Sequence, residues 1–262
     1  MMPEKPALVV PFHDPDGSMF RHLENILPDL KSHFGRFYLT VPDTTAQLQP
    51  KNVDRLRVDD FFQVYPVTKT SPVGEHFAFL YQQVAQDADP EQILHLCFMD
   101  RLSFALRTKY RDQFLKDIDS LLPEHLPLIF HRSADAWATH PKNYLEIETF
   151  ASRMGQILFD KWLDYGWCHL VLQAKHLQEI MPKVKSPELS MVAEMVLHLQ
   201  HNIHTRDVDW LAWEDPFILD RNADELKRER ENSLEETQKR LSYILPMVEI
   251  LTKFALNGKG QS

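Results

Sequence analysis

Short apolar runs that stop abruptly on polar or turn residues constrain this chain more than any other feature. Ala7-Leu8-Val9-Val10-Pro11 is followed by His13-Asp14-Pro15-Asp16-Gly17, the pattern of a buried strand that leaves the core at a loop. Arg36-Phe37-Tyr38-Leu39-Thr40-Val41 is aromatic and β-branched and stops at Pro42-Asp43-Thr44-Thr45, so it reads as a second strand. Between them Met19, Leu23, Ile26, Leu27, Leu30 and Phe34 recur at helical spacing, with Ser18 placed to cap the start and Gly35 to stop the helix. The three pieces form a βαβ unit whose connection is right-handed.

The alternation continues. A strand is expected within Phe61–Val67, a helix over Val73–Ala88, a strand at Gln92–Met99 ending on Asp100-Arg101, a helix over Leu106–Leu121, and a strand at Leu128-Ile129-Phe130 ending on His131-Arg132-Ser133. Gln92–Met99 is apolar on both faces, as in a parallel strand covered by helices on each side. The expected class is therefore α/β, a mainly parallel, doubly wound sheet with helices on both faces. After Pro141 the pattern turns helical, over Tyr144–Leu163, Leu170–Met181 and Pro187–His201, with little strand. Asp224–Arg240 carries both charge signs at i,i+4 spacing, which suits a solvent-facing helix. It continues into Tyr243–Leu256, where Pro246 can kink or divide it. With no repeat or linker, the simplest partition is residues 1–223 as the α/β domain and 224–262 as a helical extension with a flexible tail.

Composition narrows the partners. Hydrophobic residues make up 44% and charged ones 26% of the 262 residues, enough for a real core and far from the signature of disorder. A net charge of −9 draws neither nucleic acid nor anionic lipid. No stretch is apolar enough to span a membrane, and the N-terminal apolar run is too short for a signal segment. Cys97 and Cys168 form no CxxC or Cys/His ligand pattern and read as buried thiols of a reducing, cytoplasmic protein. His198, His201 and His204 lie three apart but lack an HExxH pattern, so a solvated or packed row is expected rather than zinc. Trp162, Trp167, Trp210 and Trp213 read first as core, with stacking on a sugar or base as the alternative.

In an open parallel sheet a ligand sits beyond the carboxyl ends of the strands. Those ends deliver Pro11-Phe12-His13-Asp14, Asp43, Asp100-Arg101 and His131-Arg132-Ser133, with Thr139-His140 close behind. Carboxylates, guanidiniums and imidazoles in one place suit a diphosphate with a divalent ion. With seven glycines the chain has no GxGxxG, P-loop or GxSxG motif, which sets aside dinucleotide dehydrogenases, P-loop kinases and α/β-hydrolases.

Leu8-Val9-Val10-Pro11-Phe12-His13-Asp14 resembles the opening strand of inverting, family-2-type glycosyltransferases of the GT-A (nucleotide-diphospho-sugar-transferase) fold. Leu94–Arg101 is similar to the "D-x-D-R" segment of a bacterial group of GT-A-like proteins. Phe130-His131-Arg132-Ser133, Ala138-Thr139-His140-Pro141 and Ile147-Glu148 resemble that group's "G-R-T, A-T-H-P, T-E" run. The resemblance covers roughly residues 7 to 150. It implies a GT-A sheet with a helical C-terminal part that binds a nucleotide-diphosphate sugar and transfers the sugar to an acceptor with inversion.

On that resemblance Asp43 faces the base or ribose, Asp100 holds Mn²⁺ or Mg²⁺, and Pro11, His13, Arg101, Arg132 and His140 line the donor. Asp207, Asp209 or Glu148 takes the acceptor proton. Phe98 stands where the group has the first aspartate of D-x-D, and His131, Ile147, Ser152 and His169 also depart from its pattern. The alternative is therefore a catalytically degenerate binding or scaffold protein, able to form a homodimer through the 224–256 helix. A nucleotidyltransferase ranks last, because its glycine-rich opening loop is missing after Val10.

Overall fold

The structure, a computed structural model, describes residues 5–67, 73–213 and 222–259; of the C-terminal tail, residues 260–262 lie outside the described residues. β1 (Ala7–Pro11) leads through α1 (Ser18–His33) to β2 (Arg36–Pro42), and two short helices, α2 (Asp43–Leu48) and α3 (Pro50–Val58), lead on to β3 (Phe62–Val67). After α4 (Val73–Asp87), β4 (Ile93–Cys97) passes almost directly into α5 (Met99–Arg107), followed by α6 (Arg111–Asp119) and β5 (Leu128–Arg132). The remaining order is α7 (Ala134–Thr139), α8 (Lys142–Phe159), β6 (His169–Gln173), α9 (Ala174–Ile180), α10 (Ser190–Leu199), β7 (His204–Val208), α11 (Ala223–Glu231) and α12 (Leu234–Lys259).

Contacts group the chain into two units, the first running to Leu128 and resuming over Cys168–Lys183, the second comprising Ile129–Trp167 and the residues from Val184 onward. In the first unit β1 lies between β2 and β4, parallel to both, and β3 extends the sheet beyond β2, also parallel. β6 pairs with β4 antiparallel, with Cys97 opposite His169 and His95 opposite Val171. Ala7, Leu8, Val9 and Val10 are all at 0% exposure. Successive side chains of a strand point to opposite faces, so both faces of β1 are covered. The covering helices form two sets: α1, α5 and α6 pack together, and α4 packs with α9 and against β1, β2 and β3.

α1 shows how local chemistry sets an element. Phe20, Leu23, Ile26 and Leu30 form its buried stripe. Its cap differs from the expectation at Ser18: Gly17 is the cap residue, at φ 77°, a left-handed conformation that glycine takes without a Cβ clash. The Asp14 carboxylate accepts the Phe20 N–H at 2.7 Å, filling the capping role from outside the helix.

In the second unit α12 packs along α8 and against α10, and α11 packs on α8. β5 and β7 are neighbours, and just beyond β5 the Ser133 N–H donates to the Val208 carbonyl at 3.1 Å. Phe130 meets Trp210 edge to face, with ring centroids 4.9 Å apart. α12 keeps Ile244, Met247 and Leu251 buried and leaves Leu245 and Leu256 exposed.

Four expectations change. The helix expected over Leu106–Leu121 is two, α5 and α6, separated at Thr108–Tyr110, and α5 begins at Met99. The spacing Met99, Leu102, Ser103 and Leu106, all buried, already carried the helical period. Leu170–Met181, expected as helix, is β6 followed by α9: all five residues of β6 are buried, and pairing with β4 outweighs local propensity. A further strand, β7, lies in the half expected to be helical, while α2 and α3 fill a stretch not assigned from sequence. The long C-terminal helix divides at 232–233 rather than at Pro246, which lies inside α12. Among the described residues no helix is long and apolar enough to cross a membrane, and both cysteines are buried without a disulfide.

A methyl group at Gly155 of α8 would overlap the Tyr165 ring. Gly155→Ala is therefore expected to destabilise the protein by about 1–3 kcal/mol through overpacking, despite the higher helix propensity of alanine. Urea unfolding followed by circular dichroism measures it, and an unchanged or raised midpoint would contradict this packing.

Candidate functional site

The first unit contains a topological switch. From β1 the chain moves outward through β2 to β3, then crosses back to place β4 on the other side of β1. Connections therefore leave the carboxyl ends of β1 and β4 in opposite directions, the position at which open α/β sheets ordinarily form their ligand crevice. The β1 side carries Pro11, partly buried, then Phe12, buried, His13, exposed, and Asp14, buried. Asp14 is occupied with the loop itself: its N–H donates to the Thr45 hydroxyl at 2.9 Å and its carboxylate receives the Phe20 N–H. The β4 side carries Phe98, half-buried, whose ring lies 5.3 Å from that of Phe77 on α4. Asp100 and Arg101 follow in the first turn of α5, the aspartate exposed and the arginine half-buried. Asp43, beyond β2, is exposed in the first turn of α2.

His76 of α4, which sequence reasoning passed over, is buried and hydrogen-bonded to Thr40 of β2. Burial, aided by the charge of His13, pushes its imidazole from 6.5 down to about 4.

The second unit treats its charged groups differently. Arg132, at the end of β5, is buried; its guanidinium lies 3.2 Å from Glu148 and 3.3 Å from Asp164, and stacks over Trp137 at 4.5 Å. Glu148 also receives Arg240 of α12 at 2.9 Å, and that guanidinium lies over Tyr144 at 4.1 Å. Tyr144 donates to Glu236 at 2.7 Å, and burial followed by this bond pushes its hydroxyl up to about 12.

The second unit's other expected site residues are placed as follows. His140 is buried, donating to the Ala136 carbonyl at 2.9 Å beside Trp137. Ser133 caps α7 and donates to Asp209 at 2.5 Å. Asp207 is 74% exposed, 3.9 Å from His131, whose imidazole is pushed down by burial against the pull of Asp164 and Asp207. Of the three expected acceptor carboxylates, Glu148 is thus held by two guanidiniums, Asp209 by a hydroxyl, and Asp207 faces solvent.

Within the first unit Pro11 at the end of β1, His13 just beyond it, and Asp100 with Arg101 after β4 flank the switch, and Asp43 follows the neighbouring strand. Arg132, Glu148, His140, Asp207 and Asp209 belong to the second unit, where Arg132 and Glu148 are in direct contact. The histidine row does not survive folding: His198 is on α10 and His204 begins β7. Trp167, Trp210 and Trp213 are buried, and Trp162 is exposed.

One constellation went unseen in the sequence. His95, Cys97 and His169 are completely or almost completely buried, and their ligand atoms lie within 4.8 Å of one another. Among the described residues this is the group of three such side chains close enough to share an ion, and Asp100 is not part of it. The legible half was His-x-Cys, since residues two apart in a strand share a face. The third member comes from a strand that was expected to be helix.

No family model matches the sequence, and no curated protein matches it. Among solved structures, 4-diphosphocytidyl-2C-methyl-D-erythritol synthase from Anaerococcus prevotii is similar over 92% of this chain and 99% of that one, at 8% identity and a TM-score of 0.48. At that level the likeness carries neither activity nor ligand to this chain.

Two outcomes follow from the charge arrangement. Because folding depresses the His76 pKa, its neutral form stabilises the fold fully above pH 6.5, and that contribution is lost as pH falls toward 4. Wild type should lose roughly 1.4 kcal/mol per pH unit more than His76→Gln across that window in denaturant titrations; parallel pH dependences would refute this. Glu148→Ala leaves buried Arg132 and half-buried Arg240 beside one fewer anion and should cost about 3 kcal/mol, the low end for a broken buried pair because Asp164 remains and Arg240 is partly solvated. A loss below about 1 kcal/mol, as for a surface pair, would show the network to be solvated.

Proposed function

We propose that the first unit binds a nucleotide-diphosphate sugar at the switch between β1 and β4, and that the protein is a glycosyltransferase-like transferase. The observation that carries this is the switch itself, with His13 beyond one strand and Asp100-Arg101 beyond the other. The N-terminal turn of α5 carries the positive end of the helix dipole, which favours an anion. Arg101 adds a cation in the same turn. Phe98, beside Phe77, offers a partly exposed aromatic surface suited to a flat nucleobase.

Asp100 is a single exposed carboxylate, and that donor set fits Mg²⁺ or Mn²⁺, which bind through one or two carboxylates and complete their shell with waters and substrate phosphates. When bound, such an ion neutralises charge on the departing diphosphate. With only one protein carboxylate, metal affinity should depend on the nucleotide being present. Phe98 in place of an acid favours a second reading, a protein that holds the donor without turning it over.

A thermal-shift series with UDP-, GDP- and dTDP-linked sugars, with and without Mn²⁺, tests both. One donor is expected to stabilise the protein in a metal-dependent way, by about 2.7 kcal/mol at a hundredfold excess over Kd. Asp100→Ala should abolish the metal dependence while leaving the unliganded melting temperature unchanged. Release of free nucleotide from the stabilising donor identifies a transferase, and stabilisation without release identifies the binding protein. If no donor at millimolar concentration moves the melting temperature, the proposal fails.

A further inference from the structure

The interior of the first unit holds a polar group that the crevice does not use. His95 and Cys97 lie on one face of β4, two residues apart, and the antiparallel register sets His169 of β6 directly opposite Cys97, which brings its side chain to that same face. The three are fixed by backbone pairing rather than by a loop. His95, Cys97 and His169 are each at 0% exposure. His95 Nε2 lies 2.8 Å from His169 Nδ1, and Phe114 stands against both imidazoles, with ring centroids 6.2 Å away in each case. Phe34 lies against His95 on a further side, at 6.1 Å.

We propose that His95, Cys97 and His169 form a buried three-donor site for a soft metal ion, and that copper(I) is the ion it suits. Bonds of about 2.0–2.3 Å to nitrogen and sulfur place donor atoms roughly 3.5 Å apart around a three-coordinate centre. The donor atoms here, all within 4.8 Å of one another, reach that arrangement by small rotations of two rings and a thiol. Sulfur and imidazole donors favour copper and zinc over magnesium or calcium.

Charge and coordination number then separate the two. Zinc with one thiolate and two neutral imidazoles leaves a net positive charge among phenylalanines, and it ordinarily takes a fourth ligand. Copper(I) with the same donors is neutral, and three donors suffice for it. On uptake the Cu–S and two Cu–N bonds form, the Cys97 S–H bond breaks, and its proton leaves to solvent. The imidazole that donates the His95–His169 hydrogen bond moves its proton to its other ring nitrogen. No electron is transferred. The site is independent of the nucleotide crevice, so either can fail alone.

The test is anaerobic titration of the full chain with Cu(I) against a chromophoric Cu(I) chelator, followed by desalting and metal analysis. Wild type and Cys168→Ser should each retain one equivalent of copper per chain. Cys97→Ser and His169→Phe, shown to be folded by circular dichroism, should retain none. Copper K-edge absorption on loaded wild type should show one sulfur and two nitrogen neighbours, a readout that stands even if the variants fail to fold. Absence of copper retention by wild type, full retention by folded Cys97→Ser, or a sulfur-free shell would each overturn the proposal. Retention of Zn(II) in preference to Cu(I) under the same competition would overturn the choice of ion.

Discussion

The complete burial of β1 on both faces is the constraint from which the first unit follows. With Ala7 to Val10 shut off from solvent, every backbone N–H and C=O there must be met by a neighbouring strand, because an unpaired buried amide costs several times what a surface one does. β2 and β4 supply those partners, and the helices that cover the two faces must be apolar toward the sheet. Polar chemistry is thereby pushed to where the strands end. Asp14, Asp100 and Arg101 lie there because the strands exclude them elsewhere.

The His95–Cys97–His169 group is an exception to that rule, which is why it stands out. Two imidazoles and a thiol within a sheet otherwise made of Leu94, Leu96, Leu170 and Leu172 carry a desolvation penalty that leucine would avoid. Burial pushes the His95 imidazole down from 6.5 to about 3 and pushes the Cys97 thiol up, so both stay uncharged.

The second unit solves a different problem, that of joining α8, α12 and the end of β5. Arg132 and Arg240 converge on Glu148, and each guanidinium also lies over an aromatic ring. A buried network of this kind contributes little net stability compared with a well-packed apolar one. It does require each member at its position, because any displaced helix leaves an unpaired charge in a dry place. α12 is thus tied to the α/β elements of its unit by charge geometry as well as by Ile244, Met247 and Leu251.

What the sequence by itself determined was the local grammar. The first βαβ unit, β3, β4 and β5 were legible because each is a short apolar run bounded by turn chemistry, and α1, α4 and α8 because their apolar positions repeat at helical spacing. The polar residues after each strand were legible for the same reason, as was the burial of both cysteines. Tertiary structure decided what depends on partners distant in the chain. Leu170–Gln173, read as the start of a helix, is a strand because β4 offers it a ladder. Glu148, read as a catalytic base, meets Arg132 only where α8 lies against the end of β5, and Arg240 only once α12 has docked on α8. The His-Cys-His group needs an antiparallel register between residues more than seventy positions apart. Periodicity reports which face a residue occupies, and only long-range pairing fixes what that face meets.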